Sequence, residues 1–109
     1  MGTSFLYNRV NYNGIPCIQN VSISEGTTSV TYNFGYAVAL NSRFSGIIAV
    51  RITEVPTNTA LPINLNIPGL LPGALPLTEA GGTEVTGADL LPGIHLVFYD
   101  RFNGVLQLV

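Results

Sequence analysis

The sequence predicts an all-β fold, an antiparallel β-sandwich of jelly-roll type with about seven or eight strands and no significant helix. Large apolar side chains alternate with small or polar ones from Val30 to Leu40, and a period of two over that length has no helical explanation. Turn-favouring dipeptides such as Pro92-Gly93 and Asn103-Gly104 separate the apolar runs. No segment places apolar residues at helical spacing for two full turns.

The chain of 109 residues is predicted to form a single β-sandwich domain, residues 15–109, preceded by an N-terminal arm, residues 1–14. The arm mixes Phe5, Tyr7 and Tyr12 with asparagines and shows no sustained period. Aromatic residues are rare in tails that stay in water. We therefore expect the arm to dock on its own domain or on a neighbouring subunit, the alternative being a disordered tail.

Ile15 to Ser24 is predicted to form the first strand, with Val21 and Ile23 on one side and serines on the other. Val30 to Leu40 follows as one long strand, or as two strands joined by a bend at Gly35. Its aromatic face opposes a face of small side chains, which suits close packing against another sheet.

Ile47 to Val55 is predicted to be a strand, because Ile48, Val50 and Ile52 fall on one face. Leu61 to Ile67 alternates again, and its polar members are amides and proline rather than charges. Such a pattern is typical of an edge strand or of a face packed against a partner.

The tetrapeptide Leu70-Leu71-Pro72-Gly73 recurs as Leu90-Leu91-Pro92-Gly93. We interpret the two copies as independent turns before two strands, because Pro-Gly so often marks a turn, with a short duplicated unit as the alternative. An exposed cluster of Leu70, Leu71 and Leu75 would be an oligomer contact, and a buried one would cap the core.

The end of the chain is predicted to be a β-hairpin. Ile94 to Tyr99 forms one strand, Asn103-Gly104 supplies a two-residue type I′ turn, and Val105 to Val109 returns. This turn places Phe98 opposite Val109, and both faces of the pair are then mostly apolar. We expect the hairpin to be covered on both faces, by its own domain and by another chain.

The run from Pro76 to Leu108 resembles a C-terminal pattern of bacteriophage virion proteins, especially tail-fibre, head-fibre and capsid-decoration subunits. A proline-led short strand and Gly81-Gly82 precede Ala88-Asp89-Leu90, Gly93 and an apolar strand that ends in Tyr99-Asp100. The sequence departs from the pattern at Pro92 and at Arg101-Phe102, where a glycine is usual. The resemblance covers about a third of the chain and implies a location in the virion.

The chain is unusually poor in charge. Charged residues are 9% of the total, where roughly 25% is usual, and there is no lysine. A folded chain with so little charge is expected to hide surface against partners, as in a homo-oligomer or a crowded shell. The net charge of −2 has no basic cluster, which argues against nucleic acid. No apolar run is long enough for a membrane span.

No catalytic or metal site can be argued from the sequence. His95 is the only histidine, and a hydrogen-bonded structural role is favoured over that of a catalytic base because no nucleophile motif accompanies it. Cys17 is interpreted as a small buried hydrophobe, Asp89 as a turn cap, and Asp100 as orienting the hairpin end or pairing with Arg101. We expect no cofactor and no enzyme activity.

The predicted function is that of a non-enzymatic virion structural protein, a capsid decoration or auxiliary subunit or a fibre module. Its partners would be other virion proteins, namely major capsid or fibre subunits. The residues predicted to form subunit interfaces are Phe5, Tyr7, Tyr12, Leu70, Leu71, Tyr99, Phe102, Leu106 and Leu108. The alternative is a carbohydrate-binding β-sandwich in which Tyr7, Tyr12, Tyr36, Tyr99 or Phe102 stacks on a glycan.

Overall fold

A computed structural model of the chain describes residues 11–12, 15–35 and 43–109. These residues form an all-β fold without a helix. The strands are β1 (Asn11–Tyr12), β2 (Ile15–Glu25), β3 (Val30–Phe34), β4 (Gly46–Ile52), β5 (Ile63–Asn66), β6 (Leu75–Glu79), β7 (Gly93–Asp100) and β8 (Val105–Leu108). The all-β prediction is therefore confirmed for the described part of the chain.

The strands form a closed barrel, so the predicted sandwich is wrong. Strands β2 to β8 follow the order β2-β3-β5-β6-β8-β7-β4, and β4 pairs back onto β2. Closure depends on β2, whose first half runs parallel to β4 and whose second half pairs antiparallel with β3. A register shift between Asn20 and Ser22 lies where β2 changes partner, as expected because bulges bend strands at barrel corners. Closure removes the free edges of a sheet.

The predicted antiparallel pairing is also incomplete. β2 with β4, β3 with β5 and β6 with β8 are parallel neighbours. β5 pairs with β3 on one side and with β6 on the other, so it is not an edge strand. β1 extends the barrel at the start of β2 through the pairs Asn11 with Pro16 and Tyr12 with Ile15. The predicted arm therefore includes a short strand at its end.

The barrel interior is filled by the alternating apolar side chains that the sequence singled out. Val30, Tyr32 and Phe34 from β3 are buried, as are Ile48, Val50 and Ile52 from β4. The other members of the core include Ile18, Ile63, Leu65, Ile67, Leu70, Leu71, Leu77, Val85, Leu90, Val97, Tyr99 and Leu106. The prediction of inward faces from period two is confirmed for these strands. The second half of the long strand predicted after Gly35 lies outside the described residues.

The hairpin of β7 and β8 exists, but its turn differs from the prediction. Phe98 pairs with Gln107, two residues from the predicted partner Val109, and residues 101–104 form a four-residue loop. Asp100 sets this loop, because its carboxylate accepts hydrogen bonds from the backbone nitrogens of Phe102 at 3.1 Å and Asn103 at 3.3 Å. Gly104 has a φ of +66°, which closes the loop in the left-handed region. A shift of two residues leaves every side chain on its predicted face.

Strand direction assigns each loop to one of two barrel ends. β4 runs away from residues 43–45, and β7 runs toward residues 101–104, so these loops share an end with residues 67–74. We call this the cleft end. Residues 26–29, 53–62 and 80–92 lie at the opposite end, which we call the acidic end.

Candidate functional site

Four of the residues predicted to form interfaces are buried in the core. Leu70, Leu71, Tyr99 and Leu106 are no more than 8% exposed. The face of the hairpin that was expected to meet a neighbour points into the barrel. Both faces of the hairpin are apolar, and periodicity separates two faces without telling which one is inside. The Leu70-Leu71 pair caps the core, which was the alternative stated for a buried cluster.

The remaining predicted residues have different surroundings. Phe102 is 82% exposed at the tip of the hairpin, and Leu108 is half-buried against the core. Phe5 and Tyr7 lie outside the described residues. The backbone of Tyr12 belongs to β1, and its side chain is outside the description.

The outer surface of β4, β7 and β8 forms an apolar wall, which we define by Ile47, Leu96, Phe98 and Val109, whereas Ala49 on the same face of β4 is fully buried. Ile47 pairs directly with Phe98, and Ala49 with Leu96. The backbone nitrogen of Val109 donates to the carbonyl of Leu96 at 3.0 Å. Ile47 and Phe98 are each 37% exposed, and Val109 is 71% exposed. The side of the hairpin that faces away from the barrel is thus apolar and partly open to solvent.

The outer surface of β2, β3 and β5 is polar but without charge at its centre. Asn33 on β3 donates from Nδ2 to the hydroxyls of Ser22 at 3.1 Å and Ser24 at 2.9 Å. Its Oδ1 accepts from Nδ2 of Asn66 at 3.2 Å. This row of amides and hydroxyls explains the uncharged alternation in β5, because Asn66 finds a partner on β3 and Asn64 finds one in Ser29, just before β3.

An open cleft of about 420 Å³ lies at the cleft end of the barrel. It is lined by Gly69, Leu70, Leu71, Pro72, Tyr99 and Arg101. Its floor is apolar, and Arg101 is its charged member. Clefts that bind ligands or side chains have this composition, an apolar lining with few polar groups, and volumes of roughly 300–1,000 Å³.

The side chain of Arg101 is held in place at the rim of the cleft. Its Nε donates to the carbonyl oxygen of Arg43 at 3.2 Å. Its guanidinium carbon lies 4.9 Å from the centre of the Phe102 ring, a cation–π arrangement. Asp100 orients the hairpin end through Asn103, whose Nδ2 donates to it at 2.6 Å. Of the two roles predicted for Asp100, orienting the hairpin end is therefore the one observed.

The single histidine and the single cysteine have the structural roles predicted for them. Nε2 of His95 lies 2.6 Å from the carbonyl oxygen of Leu91. Cys17 is 5% exposed, and burial raises the pKa of its thiol while nearby Arg51 opposes the rise. A buried thiol with a raised pKa is a poor nucleophile. Asp89 caps its turn by accepting from the backbone nitrogen of Thr86 at 3.1 Å.

Within residues 11–12, 15–35 and 43–109, no group of three or more His, Cys, Asp or Glu side chains is arranged to hold a metal ion. The same part of the chain contains no helix long and apolar enough to cross a bilayer. No protein-family model, curated protein or solved structure matches the chain.

Proposed function

We propose that this chain is a structural subunit of a bacteriophage virion, a capsid decoration or auxiliary subunit or a fibre module. It acts through contacts with capsid or fibre subunits and not through chemistry. The resemblance of Pro76 to Leu108 to virion proteins supports the proposal. The observation that carries it is the apolar wall, which leaves Ile47, Phe98 and Val109 partly exposed in a chain with 9% charged residues.

The apolar wall is suited to a permanent contact. Burying apolar surface stabilises an interface by about 25 cal/mol per Å², and exposed apolar patches on folded proteins often mark interaction sites. Paired side chains such as Ile47 and Phe98 lie on adjacent strands of a closed barrel, so they form a rigid surface. A rigid apolar surface loses little conformational entropy when a partner covers it.

Cosedimentation with virions of the phage that encodes the chain tests this proposal. The chain is expected to pellet with the particles, and Phe98→Ser combined with Ile47→Ser is expected to reduce the pelleted fraction several-fold. Val21→Ser is the matched control, because Val21 is 67% exposed on β2, away from the apolar wall. The proposal is contradicted if the particles bind no chain, or if they bind the wild type, the Phe98→Ser, Ile47→Ser variant and the Val21→Ser control equally.

The carbohydrate-binding alternative has little support from the described aromatics. Tyr99 is 3% exposed and its ring belongs to the core, whereas Phe102 is 82% exposed. A sugar platform normally requires an accessible aromatic face, and the Phe102 ring already stacks with Arg101. A glycan array with the wild-type chain separates the two functions, since the virion proposal requires no glycan.

A further inference from the structure

The charged side chains are divided between the two ends of the barrel. Five of the six acidic residues of the chain lie at the acidic end. These are Glu25, Glu54, Glu79, Glu84 and Asp89. Asp100, at the cleft end, has its carboxylate occupied by the hydrogen bonds of the hairpin turn. Among the described cations, Arg43 and Arg101 lie at the cleft end, and Arg51 lies on the outer face of β4, one residue before the strand ends at the acidic end.

The acidic end also exposes apolar side chains. Leu91 is 58% exposed and Val55 is 43% exposed. The loops that carry them pack together, because a Cβ added to Gly87 would lie 3.0 Å from the ring of Pro56. Asp89 precedes Leu91 by two residues, and Glu54 is next to Val55. The acidic end is thus an apolar projection bordered by carboxylates.

The cleft end has the complementary chemistry. The cleft of about 420 Å³ is lined by Leu70, Leu71 and Tyr99, of which Leu71 is the most exposed, at 8%. Arg101 lines the cleft, and its position is fixed by the Arg43 carbonyl and the Phe102 ring. A guanidinium held in this way loses little side-chain entropy when it meets a carboxylate.

We propose that the cleft of one copy of this chain receives the Leu91 loop of a second copy, with Arg101 facing the carboxylates of the acidic end. This inference rests on the proposed function, because it names a partner through which such a subunit would act. The two surfaces lie at opposite ends of the barrel, so the contact is head-to-tail. Repeated head-to-tail contacts produce a stack or a ring and do not close as a symmetric dimer.

Sedimentation of the unmodified full chain at two salt concentrations is the first test. Salt screens exposed charges, with a Debye length of about 10 Å at about 0.1 M and about 3 Å at about 1 M. We expect the weight-average mass to rise with protein concentration at low salt and to fall toward the monomer value of 11.6 kDa at high salt. A monomeric mass at both salt concentrations overturns the proposal. Association that strengthens with salt also overturns it, because that result indicates a purely apolar contact.

Charge reversal at each end is the second test. Arg101→Glu removes the cation of the cleft, and we expect association to weaken about tenfold or more because like charges then face each other. Glu79→Arg with Glu84→Arg reverses part of the acidic end, with the same expected loss. Neither glutamate has a side-chain hydrogen bond to the described residues, so the barrel should remain folded, which circular dichroism verifies. Arg51→Glu makes the same charge change on the side wall and is expected to retain association.

An equimolar mixture of the two charge-reversed proteins distinguishes a head-to-tail contact from a symmetric one. The Arg101→Glu protein keeps an intact acidic end, and the Glu79→Arg, Glu84→Arg protein keeps an intact cleft. The contact between these two intact surfaces can form, and the reversed cleft and the reversed acidic end also carry opposite charges, so the mixture is expected to regain the association that each variant alone has lost and to exceed the 11.6 kDa of one chain. A mixture that remains monomeric, or variants that each associate like the wild type, overturns the proposal.

Leu91→Ser tests the apolar part of the contact. We expect it to weaken association, whereas Val21→Ser, at a site 67% exposed on β2, should not. Equal effects of both changes contradict the assignment of Leu91 to the cleft. Failure of this contact would leave virion binding through the apolar wall intact, and absence from virions would leave head-to-tail association intact, so the two proposals fail separately.

Discussion

Thr53 donates two hydrogen bonds to the side-chain oxygen of Asn20, from its backbone nitrogen at 2.8 Å and from its hydroxyl at 3.1 Å. Asn20 is 2% exposed, the one polar side chain of the described residues that is buried in the core. At this residue β2 leaves β4 and joins β3. The pair therefore joins the end of β4 to the corner where the barrel closes.

Replacement of Asn20 by alanine is expected to destabilise the fold by about 1 kcal/mol, because the loss of both hydrogen bonds is partly offset by removal of the buried Nδ2, which has no partner among the described residues. Urea unfolding measures the loss. Asn66→Ala is the control, since Asn66 makes a single half-buried side-chain bond, to Asn33, and about 0.5 kcal/mol is expected there. Equal losses would show that Asn20 has no special role in closure.

Tyr32→Phe is expected to leave stability unchanged or to raise it by about 1 kcal/mol. The hydroxyl of Tyr32 is buried and has no hydrogen-bond partner among the described residues. Burial, with smaller contributions from Glu25 and Glu54, raises the pKa of Tyr32 from 10.0 to about 12. A clear loss of stability in Tyr32→Phe would mean that the hydroxyl has a partner.

The raised pKa of Tyr32 also predicts a pH dependence. The unfolded state loses the Tyr32 proton near its ordinary value of 10.0, and the folded state keeps it until about pH 12. Because the unfolded state then binds fewer protons, stability is full below pH 10 and falls as pH rises toward 12. Denaturant unfolding at alkaline pH should show a weaker fall for Tyr32→Phe than for the wild type.

Asp100→Ala is expected to lower the melting temperature by removing the acceptor that sets the hairpin loop. The hydrogen bond from the Asn103 side chain, followed by those from the backbone nitrogens of Asn103 and Phe102, holds the pKa of Asp100 below 3.8. The ionised form therefore stabilises the fold above that value, and the effect is lost as pH falls through the lowered pKa. Thermal melts of Asp100→Asn should retain part of the stability but lose this acid dependence.

Gly87→Ala is expected to destabilise the acidic end by about 1–3 kcal/mol through overpacking. The new Cβ would lie 3.0 Å from the Pro56 ring and 3.1 Å from Cα of Thr59. Gly73→Ala is the matched control, because a Cβ there meets nothing within 4 Å. Thermal unfolding of both variants checks the prediction, and a tolerated Gly87→Ala would mean that the two loops separate easily.

Sequence periodicity predicted which side chains share a face, because side chains alternate along every strand. The residues of β3 and β4 that point into the barrel are those predicted. In the hairpin of β7 and β8, the side chains that share a face are also those predicted. The predicted length of the loop before Val105 was wrong, because Asn103-Gly104 is typical of a two-residue turn. Asp100 instead binds the backbone of Phe102 and Asn103, a turn signal present in the sequence but outweighed by the dipeptide.

Barrel closure could not be predicted in the same way. It depends on parallel pairing of Cys17 to Gln19 with Ala49 to Arg51, residues separated by a long stretch of chain. No local pattern encodes that register. The alternation of side chains along a strand also cannot decide which face of the hairpin is inside. Tyr99 and Leu106 were therefore predicted to form an interface, and both lie in the core.

The location of the chain on a virion is the most direct test of the central proposal. The proposal requires that a phage encode the chain, and virions of that phage can be imaged by electron microscopy after gold labelling of a tag on the protein. The proposed function predicts regularly placed label on the capsid or the fibres, with none on particles whose gene for the chain is deleted. Purified virions without label, while the tagged chain is present in the lysate, would contradict it.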